Sequence, residues 1–397
     1  MRRFLRDASV SAAVAGFVAV LVGFTSSVAI VFQAATALGA TPTQTASWMW
    51  ALGLGMGLCS LLPSLWLRMP VMVAWSTPGA AVLATAAAGG GYTLAQGVGA
   101  FVVCAALIVL VGFTGWFERA MGRIPMPIAS ALLAGVLARF ALEAFLALKT
   151  DLLLVGVMLA SYLVGRRLWP RYAVPVVLLV SIALVAVQGR LHLTDVPVPW
   201  TWPVFVAPAF TLPAVIGLAL PLFVVTMASQ NLPGVAAIRA SGYPMPVSAL
   251  IGMTGVATLV LAPFGAFALN LSAITAAICM GREAHPDPQR RYVAAVTCGA
   301  IYVVIGLFGA AVTGVLTAFP RELVVAIAGL ALLGSIGGGL ATALHAEAHR
   351  EAALITFLVT LSGVALFGIG SAFWGVVAGA LAQFVQQWRR PQPPASA

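Results

Sequence analysis

Pro70–Thr85 reads PVMVAWSTPGAAVLAT and Pro263–Cys279 reads PFGAFALNLSAITAAIC. Each stretch begins with extended-type residues after a proline, meets a short polar interruption, and continues as small-residue helix. In the first, Val71 to Trp75 is β-branched and aromatic, Ser76 or Thr77 suits a helix cap, and Pro78 suits the first turn. In the second, Phe264 to Leu269 is the extended counterpart, Asn270 the expected cap, and Ser272 the first-turn residue. Two half-helices that start at mid-membrane point their free amides at one place, and the partial positive charge there suits an anion without a buried arginine. Irregular backbone survives at that depth only where it is buried or lines a cavity.

The rest of the chain supplies the membrane. Of 397 residues, 62% are hydrophobic and 8% charged, with a mean hydropathy of +1.07, far beyond what a soluble core needs. The N-terminal apolar run continues to about Leu38 without a short signal-like core, so it reads as a retained first span. Arg, Gly and Pro punctuation divides the chain into fourteen segments, since a crossing helix needs roughly 20 apolar residues. The first seven fall at 10–37, 44–67, the broken 70–88, 93–117, 125–147, 151–165 and 172–188. A Pro- and Trp-rich link follows at 196–210, and then 211–238, 245–262, the broken 263–281, 291–317, 322–345, 351–368 and 371–388.

Charge tests this count. With Met1 in the cytoplasm, sixteen of the twenty basic residues fall in loops on the inner side; Lys149, Arg190 and Arg321 fall outside and Arg139 within a span. Both termini are therefore expected inside. The net charge of +10 is a topology signal, with anionic lipid headgroups as the expected partners of these arginines and no nucleic acid implied. An odd number of spans per half inverts the second half. The expected fold is thus an all-α polytopic 7+7 inverted repeat, with repeats at 1–195 and 211–390 and a tail at 391–397. An echo of Leu38-Gly39-Ala40-Thr41-Pro42 in Ser241-Gly242-Tyr243-Pro244 supports the repeat.

Other polar groups are few. Ser229-Gln230-Asn231-Leu232-Pro233-Gly234 interrupts the eighth segment, where Gln230 and Asn231 either read substrate oxygens or glue helices together. Thr25, Ser26, Ser27 and Gln33 are the counterparts in the first segment. Glu143 is the one acid clearly within a span, and Arg139 lies four residues earlier on the same helix face, the spacing of a local ion pair. His345, Glu347, His349 and Glu351 crowd a short loop and read as solvated, so no metal or other cofactor is expected. The four cysteines, Cys59, Cys104, Cys279 and Cys298, form no CxxC pair and read as small buried hydrophobes. Trp75, Phe264 and Phe267 beside the breaks offer either packing or ring faces for an arene. Glycines at 53, 55 and 57, and at 334 and 337–339, mark close helix approach.

The strings GFTSSVAIVFQAA, WSTPGAA, MASQNLPG, LNLSAITAAICMG, ALITFLVTLSG and GIGSAFWG together resemble the benzoate/proton symporter family of bacterial inner membranes, over essentially the whole chain. That family is similar in fold to uracil and xanthine permeases and to sulfate-type anion transporters. The resemblance implies a core domain of segments 1–4 and 8–11, a gate domain of segments 5–7 and 12–14, and a substrate held between segments 3 and 10. Carried over residue by residue, the substrate contacts are Ser76, Thr77, Gly79, Gln230, Asn231, Asn270, Leu271 and Ser272. Nucleobase permeases of this fold generally carry a carboxylate in the eighth segment, and this chain has none between Ser229 and Gly234. That absence suits an anionic substrate and leaves the proton without an obvious carrier, with Glu143, water and the substrate's own carboxylate all open.

Three function classes separate on these features. No GxxxxGKS-type nucleotide motif appears, no nucleophile, metal set or acid pair stands at membrane depth as an enzyme requires, and no polar stripe runs along several helices as in a channel. A secondary transporter importing benzoate or a related aromatic monocarboxylate with a proton is the expected function. A nucleobase or inorganic-anion carrier of the same fold is the alternative, and whether two copies pair as a homodimer stays open.

Overall fold

The computed structural model describes residues 6–25, 27–87, 91–122, 124–169, 172–190, 200–308, 319–364, 366 and 371–387. Among the described residues, seven helices are apolar and long enough to cross a membrane, including Pro42–Leu67, Leu94–Phe113, Leu212–Ala240 and Arg321–His345. Shorter apolar helices, including Val10–Phe24 and Ala173–Val187, complete a mostly helical, multi-pass membrane protein. Segment 1 is divided into Val10–Thr25 and Val28–Ala37, and segment 8 is one helix with two π turns, Val215–Ala219 and Met227–Asn231.

The two quoted stretches become strands. Segment 3 consists of β1 (Val73–Trp75) followed by the helix Thr77–Ala87, and segment 10 of β2 (Leu269–Leu271) followed by the helix Ile274–Met280. β1 and β2 pair antiparallel with Val73 opposite Leu271, Ala74 opposite Asn270 and Trp75 opposite Leu269. One expectation is corrected here: Asn270 is a strand residue and not a helix cap, and Ser272 precedes the helix instead of lying in its first turn. The extended counterpart is also shorter than read, because Phe264 closes a 3-10 turn (Ala262–Phe264) before the strand. Cross-strand pairing holds residues 269–271 extended, so the helix cannot begin until four residues after Asn270.

A two-stranded ribbon has two open edges, and in lipid each free amide costs several kcal/mol. Neighbouring segments close them with side chains. Val73 N–H donates to Ser60 Oγ (3.0 Å) and Val71 N–H to Ser64 Oγ (3.0 Å), both from segment 2, Pro42–Leu67. Leu269 N–H donates to Thr258 Oγ1 (3.1 Å) from segment 9, Val247–Leu261, and Leu271 N–H to Asn231 Oδ1 (2.9 Å) from segment 8.

Packing follows the same internal symmetry. Segment 2 lies against segment 11 (Tyr292–Leu307), and segment 9 against segment 4 (Leu94–Phe113); shifting each index by seven turns one pair into the other. Segments 1 with 10 and 8 with 3 are related in the same way. Both related interfaces use glycine: a Cβ on Gly53 lies 2.6 Å from Gly306 Cα, and one on Gly112 lies 2.3 Å from Gly252 N, so neither backbone pair could approach with larger residues. Segment 5 (Met126–Leu146) packs against segments 12 (Arg321–His345), 13 (Arg350–Ser362) and 14 (Ser371–Gln387). The described part of the link, from Trp200, is stitched down: Thr201 N–H donates to Leu307 O, Val204 N–H to Ser47 Oγ, and Ala209 N–H to Ala95 O.

Candidate functional site

Strand alternation sorts the residues of the break. With Ala74 opposite Asn270, the flanking pairs are Ser76 with Ala268 and Met72 with Ser272, tied by Ser76 N–H to Ala268 O (3.1 Å) and Ser272 N–H to Met72 O (3.0 Å). Side chains two apart share a face. Ser76, Asn270 and Ser272 therefore lie on one side of the ribbon around the small Ala74, while Val73, Trp75, Leu269 and Leu271 occupy the other. Ser76 and Asn270 are both fully buried and Ser272 is 7% exposed.

The helix after β1 is capped as its sequence demands. Ser76 Oγ accepts from Gly79 N–H (3.1 Å) and from the Thr226 hydroxyl (2.9 Å) of segment 8. A Cβ on Gly79 would sit 2.5 Å from Leu222 Cδ1, so a side chain there has to push Leu222 aside. Thr77 is half-buried one residue further on. On the other side, Ser272 Oγ accepts from Thr275 Oγ1 (2.7 Å). Asn270 Nδ2 donates to Ala268 O (3.2 Å), whereas its Oδ1 is buried with no hydrogen-bond partner. Ala268 itself holds φ +38°, a left-handed conformation that non-glycine residues seldom adopt, immediately before the strand.

Segment 8 serves both strands at once. Thr226 reaches Ser76 and Asn231 reaches Leu271, although residues five apart on a regular α-helix point roughly 140° away from each other. The π turn Met227–Asn231 between them removes most of that offset. Asn231 Nδ2 meets Met227 Sδ at 3.2 Å, so both ends of this amide are committed to structure, the helix-gluing alternative. Gln230 is half-buried on the same turn. Gly234 makes the approach possible: a Cβ there would stand 2.4 Å from Leu271 O.

The remaining sequence candidates lie elsewhere around the ribbon. Trp75 turns toward segment 1, donating Nε1–H to Ser27 Oγ (3.0 Å) and stacking tilted on Phe24 at 5.7 Å. Phe267 is buried in a cluster with Trp48 and Phe101, and Phe264 packs between Trp50 and Phe205. Ser26 lies outside the described residues. Glu143 lines a recess of about 170 Å³ with Arg321 and Glu322, at the end of segment 5. Among the described residues its neighbour Arg139 makes no ion pair with it. The buried acid is instead Glu283, in the loop after segment 10: it is 8% exposed and bonded to Arg166 at 3.0 Å, joining segments 10 and 6. Nothing in the local sequence around Glu283 marks it as buried, because its neighbours Arg282 and His285 are those of an ordinary loop. Thr226 was also missed, being one more hydroxyl in an apolar run. No group of three potential metal ligands occurs among the described residues.

A site of hydroxyls, amides and backbone can bind and release but holds no nucleophile or acid–base pair for bond chemistry. Comparison with known proteins agrees. The sequence pattern of the family described as "Benzoate membrane transport protein" matches residues 6–385. The chain is 50% identical over 371 residues to "Inner membrane protein YdcO" of Escherichia coli (strain K12), covering 94% of each. It is 37% identical over 385 residues to "Benzoate membrane transport protein" of Acinetobacter baylyi, covering 97% of each. Among solved structures, the transmembrane domain of the cyanobacterial bicarbonate transporter BicA matches at TM-score 0.45 and 13% identity, covering 95% of this chain and 96% of that one. SLC26A9 matches at 0.47 and 11%, covering 95% and 65%. By the whole-length family match and the two relatives, this chain belongs to the benzoate membrane transport protein family, a family of membrane transporters and not of enzymes.

Proposed function

We propose that the protein carries benzoate, or a closely related aromatic monocarboxylate, together with a proton across a bacterial inner membrane, both termini facing the cytoplasm. The observation that carries this reading is the polar face of the buried ribbon, where Ser76, Asn270 and Ser272 surround Ala74 at the starts of two half-helices. Helix N-termini and hydroxyls there attract a carboxylate, and no fixed negative side chain opposes it. Thr77 and Gln230, both half-buried, complete the contacts, while Gly79, Asn231 and Leu271 shape the walls.

Segments 1–4 and 8–11 act as a core that holds the substrate and moves against a gate of segments 5–7 and 12–14. The Glu283–Arg166 pair bridges the two bodies on the face that bears Arg68 and Arg290, and it has to open for the core to slide. Uptake of radiolabelled benzoate into proteoliposomes, with and without an imposed pH gradient, tests the proposal. Saturable uptake accelerated by an acidic exterior is expected. Uptake no faster than in protein-free vesicles removes benzoate as the substrate.

A further inference from the structure

On the polar face of the ribbon the hydrogen bonds leave Ser76 and Ser272 a hydroxyl donor each and Asn270 the one unpartnered acceptor among the described residues. Both acceptor positions of Ser76 Oγ are used, by Gly79 N–H and by Thr226, so the Ser76 hydroxyl hydrogen is what it has to offer. Asn270 is the reverse. Its Nδ2 is fixed by donating to Ala268 O, an orientation the flipped amide could not keep because two oxygens would then face each other. That leaves Oδ1 buried, fully shielded and unpartnered, a costly state for a buried acceptor in a folded protein.

A carboxylate ion has only acceptors. It satisfies Ser76 but sets lone pairs against Asn270 Oδ1. A protonated carboxyl group has one acceptor oxygen and one O–H, the complement of what the two residues present.

Among the described residues the proton has no other seat beside the ribbon. The ribbon's partners Ser60, Ser64, Thr226, Asn231, Thr258 and Ser27 do not titrate near neutral pH. Behind segment 10 the titratable groups are Cys279, Cys298 and Tyr302, whose types ordinarily ionise above about pH 8. Glu283 is paired with Arg166, and Glu143 stands in the recess with Arg321 and Glu322.

We infer that the carried proton sits on the substrate: the site binds the aromatic acid with its carboxyl protonated, the O–H donating to Asn270 Oδ1 and the other oxygen accepting from Ser76. This rests on the function proposed above. The proton joins one carboxylate oxygen as the anion binds, and on release that O–H bond breaks, the proton passing to water and the anion leaving. Nothing is oxidised or reduced.

Benzamide is the decisive probe, because it presents an acceptor oxygen and an N–H donor and does not ionise near neutral pH. Binding of benzoate and benzamide to the purified full-length protein is measured from mildly acidic to mildly alkaline pH, with Asn270→Leu alongside. The expected result is a benzoate Kd that rises about tenfold per pH unit, a benzamide Kd that does not change with pH, and loss of both ligands in Asn270→Leu. Benzamide failing to compete while benzoate keeps its pH dependence assigns the proton to a protein group and overturns the inference, as does a benzoate Kd flat with pH. Both readouts come from the unmodified protein, so misfolding of the variant does not blur them. A wild-type protein that binds no benzoate at any pH rejects the proposed function itself, and this inference with it.

Discussion

The breaks in segments 3 and 10 are counterparts in the repeat, yet they are finished differently. In segment 3 the polar residue at the strand–helix junction, Ser76, caps its helix and is held by Thr226 from the other half. In segment 10 the strand carries Asn270, whose carbonyl oxygen has no protein partner, and the following helix has no side-chain cap at all. One break is closed by its own structure and the other is left open. Equivalent backbones are thus finished unequally: segment 3 satisfies its own junction, and segment 10 leaves hydrogen-bonding capacity unmet.

Substitutions at the open break should hurt transport most. Asn270→Asp places a negative charge beside the substrate carboxyl and sets a second acceptor against Ala268 O, and uptake is expected to fall by about two orders of magnitude with normal membrane abundance. Asn270→Ala should cost about tenfold. Wild-type uptake by the Asp variant would place the substrate away from segment 10.

Asn231 sharpens the comparison because it closes an edge without offering anything to a ligand. Asn231→Ala strands the Leu271 N–H in a dry interior, and thermal unfolding in detergent should show a loss of about 2 kcal/mol. The defect should appear in stability and abundance, with the benzoate KM of the surviving protein changed less than by Asn270→Ala. A change confined to KM would mean that Asn231 touches substrate.

Glycine substitutions test how firmly each break is walled. A Cβ on Gly234 meets the backbone oxygen of Leu271 at 2.4 Å, which cannot yield without moving β2. A Cβ on Gly79 meets the tip of the Leu222 side chain at 2.5 Å, which can rotate aside, and Ser76 Oγ at 2.7 Å. Gly234→Ala should therefore lower stability by about 2–3 kcal/mol and Gly79→Ala by about half as much. The reverse order would show that β2 is the softer strand.

The smallest effect is expected outside both breaks, at Asp151. Burial raises its carboxyl, but the hydrogen bonds from Arg190 and from the Leu154 N–H, with the Arg190 charge, outweigh it and hold it below the usual carboxylate range. A depressed folded value means that stability is present above the unfolded value, about 3.9, and is lost as pH falls through the folded one. Asp151→Asn should remove that acid-side loss while leaving benzoate uptake within about twofold, because the pair is partly exposed and screened. A variant with the wild-type acid profile would show that the pair contributes nothing.

Much of this architecture could be read before any coordinates. Pro70 with the extended run to Trp75, and Pro263 with the run to Leu269, announce strand-then-helix breaks because proline and β-branched or aromatic residues bias the backbone locally. The arginine count orders fourteen segments because charge is expensive in lipid wherever the chain folds. Asn270, Ser76 and Ser272 stood out for the same reason, as polar groups in an apolar background. The partners of those groups could not be read. Asn231 looked as able to bind substrate as to bind a helix, and Phe267 looked like a ring beside the site until Trp48 and Phe101 surrounded it.

What the sequence determined by itself is therefore the membrane, the repeat and the places where the chain must break, all set by hydropathy and local backbone preference. The tertiary structure alone decided the strand register that puts Ser76, Asn270 and Ser272 on one face, the π turn that lets Thr226 and Asn231 serve both strands, and the burial of Glu283 against Arg166. These depend on contacts between residues far apart in the chain, and a hydrogen bond's partner is chosen by packing, which local sequence does not encode.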